Sequence, residues 1–365
     1  MNFSDQFPAL NNCTYLNTAS SGILSKTITD WRRAHDETFE KLGSGFRLNQ
    51  DSFLKEVRGN VARFFNAKAG NTFLVPNCSF GLNTFLEGLS GGQKFLLFEG
   101  DYPSVNYPIE SRGFVCDYVT MDEQVESQLS AKIRNFKPTV LAISLVQYTN
   151  GIKIDLDFIK ELKLANPDLL IVADGTQYCG TEKFDFESSG IDVLISSGYK
   201  WMLAGYGNGF VLIKDEVKDQ LYQDRKSRPL PVEGFLKDRT ALSLCFEPGH
   251  LDTLNFGTLN ESILFMEKLG MDVIENKINS LAQKAKVAFT ELGLLSEPVA
   301  NRKQHSSIFN LQISDELITS FSEANIISIS RGKGVRVGFH FYNTAADLDH
   351  LLQVIKANGK PVVRV

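Results

Sequence analysis

Cysteine is scarce in this chain and never clustered. The five present, Cys13, Cys78, Cys116, Cys179 and Cys245, are an odd number, widely scattered and without a CxxC pair. That argues against a disulfide framework and against a structural zinc site, and no metal is expected. A reducing compartment suits such usage, so a cytoplasmic location is expected. No uninterrupted apolar stretch approaches the roughly 20 residues that a spanning helix needs. The opening MNFSDQFPALNN lacks a basic segment followed by an apolar one, so no secretory leader and no membrane association are expected. Positive charge is not in excess either: 38 Lys and Arg against 43 Asp and Glu give a formal charge of −5. A chain without a basic footprint is a poor candidate for binding nucleic acid or an acidic membrane surface. Repeats are missing too, which leaves a small-molecule partner by elimination.

What is present reads as an α/β protein. At 365 residues the chain exceeds the ~250–300 at which single cores stop growing, so a large and a smaller domain are expected. Between about 70 and 215, the apolar runs TFLVP, KFLLFE, TVLAISLV, LLIVAD, VLISS and GFVLIK alternate with longer helix-like segments. Such runs suit strands buried on both faces, and the spacers are long enough for crossover helices, which predicts a mostly parallel sheet covered by helices. One crossover is explicit: Leu156, Ile159 and Leu162 fall at helical spacing before Asn166-Pro167-Asp168 breaks the pattern. Past residue 250 the texture changes. A long helix over 259–294, strands at 306–313, 326–330 and 334–341, and a helix over 345–356 predict a smaller α+β domain. The expected division is an N-terminal segment 1–20, a large domain 21–250 and a small domain 251–365, joined near Pro248-Gly249-His250.

Two strand ends carry the chemistry. Leu170-Ile-Val-Ala-Asp174-Gly175 and Val193-Leu-Ile-Ser-Ser197-Gly198-Tyr199-Lys200 put a carboxylate and an amine past buried strands. Open α/β sheets bind ligands outside the carboxyl ends of their strands. A lysine that condenses with an aldehyde and a carboxylate that keeps a pyridine nitrogen protonated are what pyridoxal 5′-phosphate (PLP) chemistry needs. Taken singly, either residue reads equally well as a helix-capping Asp or a surface Lys. Upstream, Pro76-Asn77-Cys78-Ser79-Phe80-Gly81 follows a strand and opens a helical pattern. A helix start of this kind is an anion site, and the same residues would serve as an ordinary N-cap.

The string ADGTQYCG followed by IDVLISSGYKWMLAGYGNGF resembles the active-site core of class V aminotransferases and cysteine desulfurases, PLP enzymes of fold type I, with their D-x-x-Q and S-G-x-K motifs. The resemblance makes the larger domain the PLP-binding one and implies a cofactor held on Lys200 as a Schiff base. It implies that Asp174 pairs with the pyridine nitrogen, Gln177 with the phenolic oxygen, and Ser197 and Tyr199 with the phosphate; Tyr199 stands where the family often has His. Cys78, Ser79 and the Phe80 amide inherit the phosphate-cradling turn. In Glu99-Gly-Asp-Tyr102-Pro-Ser, Tyr102 takes the ring-stacking position. Gln147 and Tyr148 fall in the loop on the cofactor's oxygen side. Tyr15-Leu-Asn17-Thr-Ala19-Ser20 is similar to the family's opening, which puts residues 1–20 and Asn17, Ala19 and Ser20 at the substrate mouth. Arg336, in Arg-Val-Gly-Phe-His-Phe-Tyr-Asn-Thr, matches the arginine that clamps the substrate α-carboxylate. Asn255-Phe-Gly-Thr258 matches the point that reaches the partner subunit's phosphate, implying a homodimer with Thr258 at the partner active site.

The family's desulfurases carry a catalytic cysteine shortly before that arginine. Here the stretch is Ile326 to Gly334 and no cysteine follows Cys245, so a persulfide relay is not expected. Three readings stay open: a class V aminotransferase acting on an amino acid; a lyase or epimerase, cysteine or selenocysteine lyase-like, that shares the early steps; and a catalytically silent binding module. The last is opposed by the retained lysine and by the missing GxGxxG.

Overall fold

A computed structural model describes residues 3–226, 228–233, 236 and 239–358. Twelve strands are β1 Thr14–Tyr15, β2 Thr72–Val75, β3 Lys94–Phe98, β4 Val115–Val119, β5 Val140–Ser144, β6 Leu170–Asp174, β7 Val193–Ser197, β8 Gly209–Ile213, β9 Ile308–Leu311, β10 Ile326–Ile327, β11 Ile329–Arg331 and β12 Gly334–Gly338. Seven of them form the main sheet in the order β2-β8-β7-β6-β5-β3-β4. Only β8 runs against its neighbours, because the link from β7 is a short turn and a parallel return needs a long crossover. The six expected apolar runs are all strands of this sheet. The seventh, β4, escapes the apolar-run criterion because it is an edge strand: Val115 is exposed and Asp117 pairs with Lys132.

Alternate residues of the buried strands point to opposite faces and build two cores. Leu141 and Ile143 join the larger core, whereas Val140 and Ala142 join the smaller. The expected crossover is the helix Leu156–Ala165, capped by the Asp155 carboxylate, which accepts from the Asp157 N–H. The expected helix over 259–294 is two, Thr253–Leu269 and Met271–Glu291. Gly270 separates them at φ +88, a conformation only glycine adopts without strain. The first of these packs on the helices Gln50–Phe64 and Lys26–Leu42.

The smaller sheet is the antiparallel β11-β12-β9. The expected strands 306–313 and 334–341 are shorter, β9 and β12, the expected 326–330 is two strands, β10 and β11, in different sheets, and a helix Asp315–Glu323 that the pattern did not signal lies between β9 and β10. The opening segment lies along this part of the molecule: β1 pairs with β10, and Asn17 bridges Gly338. The strand ends of β2, β3, β5, β6 and β7 therefore share one edge of the main sheet, with residues 14–22 and β12 brought towards it. Among the described residues, no helix is long and apolar enough to cross a membrane.

Candidate active site

A cavity of about 410 Å³ opens at that edge, within the usual size of small-ligand sites. Lys200 lies on its wall with only 6% of its surface exposed. The chain reaches it through a tight turn after β7. Leu203 N–H donates to the Lys200 carbonyl at 3.0 Å and Ala204 N–H to that of Gly198 at 2.9 Å. Leu203 sits at φ +54, a left-handed conformation that costs a branched residue about 1–2 kcal/mol and is held by the surrounding core. Lys200 Nζ lies 5.3 Å from the Tyr102 ring centroid and 5.4 Å from that of Tyr199. Burial pushes the amine down to about 8, against the opposing pull of Asp174 and with help from Arg336. A lysine so placed is partly neutral near pH 8, the state in which it is a nucleophile or a base.

Asp174 closes β6 and lines the same cavity, its Oδ1 accepting from the Thr176 N–H at 2.7 Å. The anion side is built around the helix Cys78–Gly88. Asn77 caps it through the Phe80 N–H at 2.8 Å, the Cys78 N–H donates to Ser197 Oγ at 2.8 Å, and the Ser197 N–H donates to Thr176 Oγ1 at 3.2 Å. Asn77, Cys78, Ser79, Thr176, Ser197 and Tyr199 share the cavity wall. The Phe80 amide is committed to the cap. The Cys78 thiol is pushed well up by burial and by the Asp174 charge, so it is held as a neutral thiol. Tyr199 stacks on Tyr206 with centroids 4.9 Å apart.

Across the cavity Tyr102 and Tyr148 meet edge to face at 5.3 Å. Beneath Tyr102 the carboxylate of Asp101 is buried. It accepts from the Tyr102 N–H at 2.7 Å, the Ser144 N–H at 2.9 Å and the Ser144 hydroxyl at 2.6 Å. Burial pushes its pKa up to about 6. Gln147 is not on the cavity wall: its side-chain oxygen accepts from the Thr149 and Asn150 N–H groups and its amide donates to the Gly100 carbonyl, which fixes the loop that presents Tyr148.

Gln177 lines the cavity with its amide oxygen taken by Trp201 Nε1 at 2.7 Å and its nitrogen donating to the Ala19 carbonyl at 2.9 Å. His340, with Nδ1 accepting from the Phe341 N–H, donates through Nε2 to the Trp201 carbonyl at 2.9 Å. The residue after Lys200 is thus tied to the D-x-x-Q motif, to the opening segment and to the smaller domain. Arg336, 2% exposed, donates to the Tyr148 carbonyl at 2.6 Å and to Ser20 Oγ, and its Nε is buried without a partner. Burial and the nearby Arg331 push it down to about 10. Asn17 also keeps a buried, unpartnered side-chain oxygen. Thr258 lies away from the cavity, fully buried, its hydroxyl donating to the Leu254 carbonyl and accepting from Arg32 at 2.8 Å.

Sequence reading passed over Asn77, Asp101, Ser144, Thr176 and Tyr206. Asn77, Asp101, Thr176 and Tyr206 stood inside the motifs named above, and their polar neighbours were the available signal. Ser144 ends a strand that reads only as apolar. Among the described residues, no His, Cys, Asp and Glu cluster could hold a metal ion.

A buried lysine and a half-buried carboxylate past adjoining strand ends, on this sheet order, define a fold type I PLP-family architecture. Residues 43–351 match the aminotransferase class-V family, and the chain belongs to it. A probable cysteine desulfurase of Ureaplasma parvum is 24% identical over 93% of this chain and 90% of its own. An uncharacterized aminotransferase, YcbU, of Bacillus subtilis is 22% identical over 96% of each. In fold, the chain matches the cysteine desulfurase of Thermococcus onnurineus with a TM-score of 0.81 at 19% identity, covering 97% of this chain and 96% of that one. It matches the cystine C-S lyase C-DES, solved with cysteine persulfide, with a TM-score of 0.80 at 17% identity, covering 98% and 100%.

Proposed function

We propose that the chain holds PLP on Lys200 and transaminates an α-amino acid. The observation that carries this reading is a lysine 6% exposed, with an amine near pKa 8, on one cavity wall with Asp174. The residues present fit the group. The capped helix start with Ser79 and Ser197 suits a phosphate, Tyr102 offers an aromatic face, and the unpartnered Arg336 Nε is a donor with a ligand to find. When bound, PLP supplies an aldehyde for the substrate amine and a ring that takes up the electron pair released at Cα.

The chain's own residues do the rest. Asp174 holds a proton on the pyridine nitrogen, Gln177 uses its second amide hydrogen on the phenolic oxygen, and Tyr102 covers the ring face. Arg336, with Ser20 and Asn17 beside it, takes the α-carboxylate. Lys200, freed when the substrate amine takes its place, would take the Cα proton and pass it to the carbon that had carried the aldehyde, so that the amino group stays with the cofactor, a role that suits an amine near neutrality at the working pH. The reading includes a homodimer. It is supported by the exposed Phe39, Leu42 and Leu48, which are 53%, 53% and 87% exposed next to an apolar groove between the N-terminal helices.

A second reading, elimination of a β-substituent, is supported by the C-S lyase among the similar structures. A desulfurase relay is opposed by the β11–β12 turn, Arg331-Gly332-Lys333-Gly334, which carries no cysteine. The test is to load the purified protein with PLP, add single amino acids, and record which product accumulates. Pyridoxamine phosphate with a 2-oxo acid supports transamination. Ammonia with pyruvate-like products and unchanged cofactor assigns elimination. Lys200→Ala should not form the yellow adduct, and Asp174→Ala should bind PLP yet lose turnover. A wild type that stays colourless with PLP defeats the whole reading.

A further inference from the structure

The two strands of the β11–β12 hairpin pair Ile329 with Arg336 and Arg331 with Gly334. Residues two apart on a strand share a face, so Arg331 and Arg336 project from the same side as diagonal neighbours, about 7–8 Å apart along the sheet. Val335 and Val337 alternate onto the other face and are fully buried. The Arg336 face is the one that meets Ser20 and the carbonyl of Tyr148, a residue of the cavity wall.

The turn is fixed against the same loop. Gly332, at φ +56, lies where an added Cβ would stand 3.4 Å from Thr149 Cγ2, and the Arg331 carbonyl accepts from the Asn310 amide at 2.8 Å. Like charges side by side on a sheet face are unfavourable. Here no carboxylate pairs with either guanidinium among the described residues. The acids nearest the cavity are committed: Asp174 opposite Lys200, and Asp101 to Ser144 and Tyr102. The Arg331 charge is close enough to depress both Arg336 and Lys200.

One α-carboxylate satisfies Arg336 and leaves the second cation unanswered. We propose that Arg331 is a specificity-determining residue that binds a second anionic group, carried on the side chain of the substrate. The substrate class is therefore an amino acid with an acidic side chain. This rests on the amino-acid reading above, since it takes Arg336 as the anchor of the first carboxylate. Arg331 is exposed, so its contribution is that of a partly screened pair and falls with salt.

The test is calorimetric titration of the PLP-treated protein with succinate and with succinamate, its half-amide, in parallel with the yellow absorbance of the same sample. The wild type should bind succinate roughly twofold to fivefold more tightly. Arg331→Gln should bind the two ligands alike, Arg331→Lys should keep part of the preference, and Lys333→Gln, in the same turn, should keep all of it. A wild type without preference, or an Arg331→Gln variant that retains it, overturns the proposal. A yellow protein without preference refutes only the second anion site. A colourless protein that still prefers succinate refutes the PLP reading and leaves the paired-arginine site standing.

Discussion

At the scale of single residues, Lys200 and Arg336 hold charge where the fold has removed water. Lys200 titrates near 8 in the folded chain and near 10.5 when unfolded. Between those values the unfolded chain binds more protons, so stability rises with pH across that window, and below 8 the full cost of burying the ammonium is felt. In the cofactor-free protein, Lys200→Met should therefore stabilise the fold at pH 7, by on the order of 3 kcal/mol for a shift of this size. It should also flatten the rise between pH 8 and 10. Urea unfolding of both forms at pH 7 and 9.5 reads this directly; parallel curves would show that the amine is not the buried group. For Arg336, removal should cost substrate binding or transition-state stabilisation about 2–5 kcal/mol while cofactor loading holds. Arg336→Lys should recover only part, because an ammonium lacks the two-pronged geometry. Comparing catalytic efficiency on an amino acid and on its amine analogue checks it. An Arg336→Ala variant with unchanged preference for the acid moves the clamp elsewhere.

Elements decide how firmly those residues are held. The turn after β7 is clasped by the opening segment: Gly22 N–H donates to the Tyr199 carbonyl at 2.8 Å, and a Cβ on Gly22 would stand 2.2 Å from the Lys200 carbonyl oxygen and 2.7 Å from Leu203 Cδ2. Gly22→Ala must push this segment off the lysine turn. A loss of about 1–3 kcal/mol is expected from such overpacking, with weaker cofactor retention. The urea midpoint together with dialysis of the yellow protein tests it, and a variant that keeps both would show that the turn does not depend on the clasp. The buried strands were legible because two-sided burial demands unbroken apolar runs. Strand β4 was not, since an edge strand carries polar residues on its open side. The split at Gly270 was not legible either: a lone glycine inside a helical pattern marks a break only when the packing of the two halves demands one.

At the scale of the molecule, the cavity is walled by the strand ends of the main sheet and the turns after them, while residues 17–22 and β12 lie behind that wall and reach it through Ala19 on Gln177 and Arg336 on Tyr148. The proposed homodimer adds a further level. Sedimentation should give twice the mass of the 40.7 kDa chain, and Leu42→Asp with Leu48→Asp should shift it to the monomer. A wild type that sediments as a monomer removes the dimer from the reading, and an unshifted double variant places the interface elsewhere.

The sequence by itself determined six of the main sheet's seven strands, the lysine and carboxylate at its rim and the arginine on β12, because apolar periodicity and local motifs are short-range patterns. Only the tertiary structure decided that the Gln177 amide braces Trp201 and Ala19, that Gln147 serves its own loop, that Asp101 lies under Tyr102, and that Arg331 shares a face with Arg336. Each of those depends on which distant groups compete for the same hydrogen-bonding atom or the same face of a strand, and that competition exists only once the chain has closed on itself.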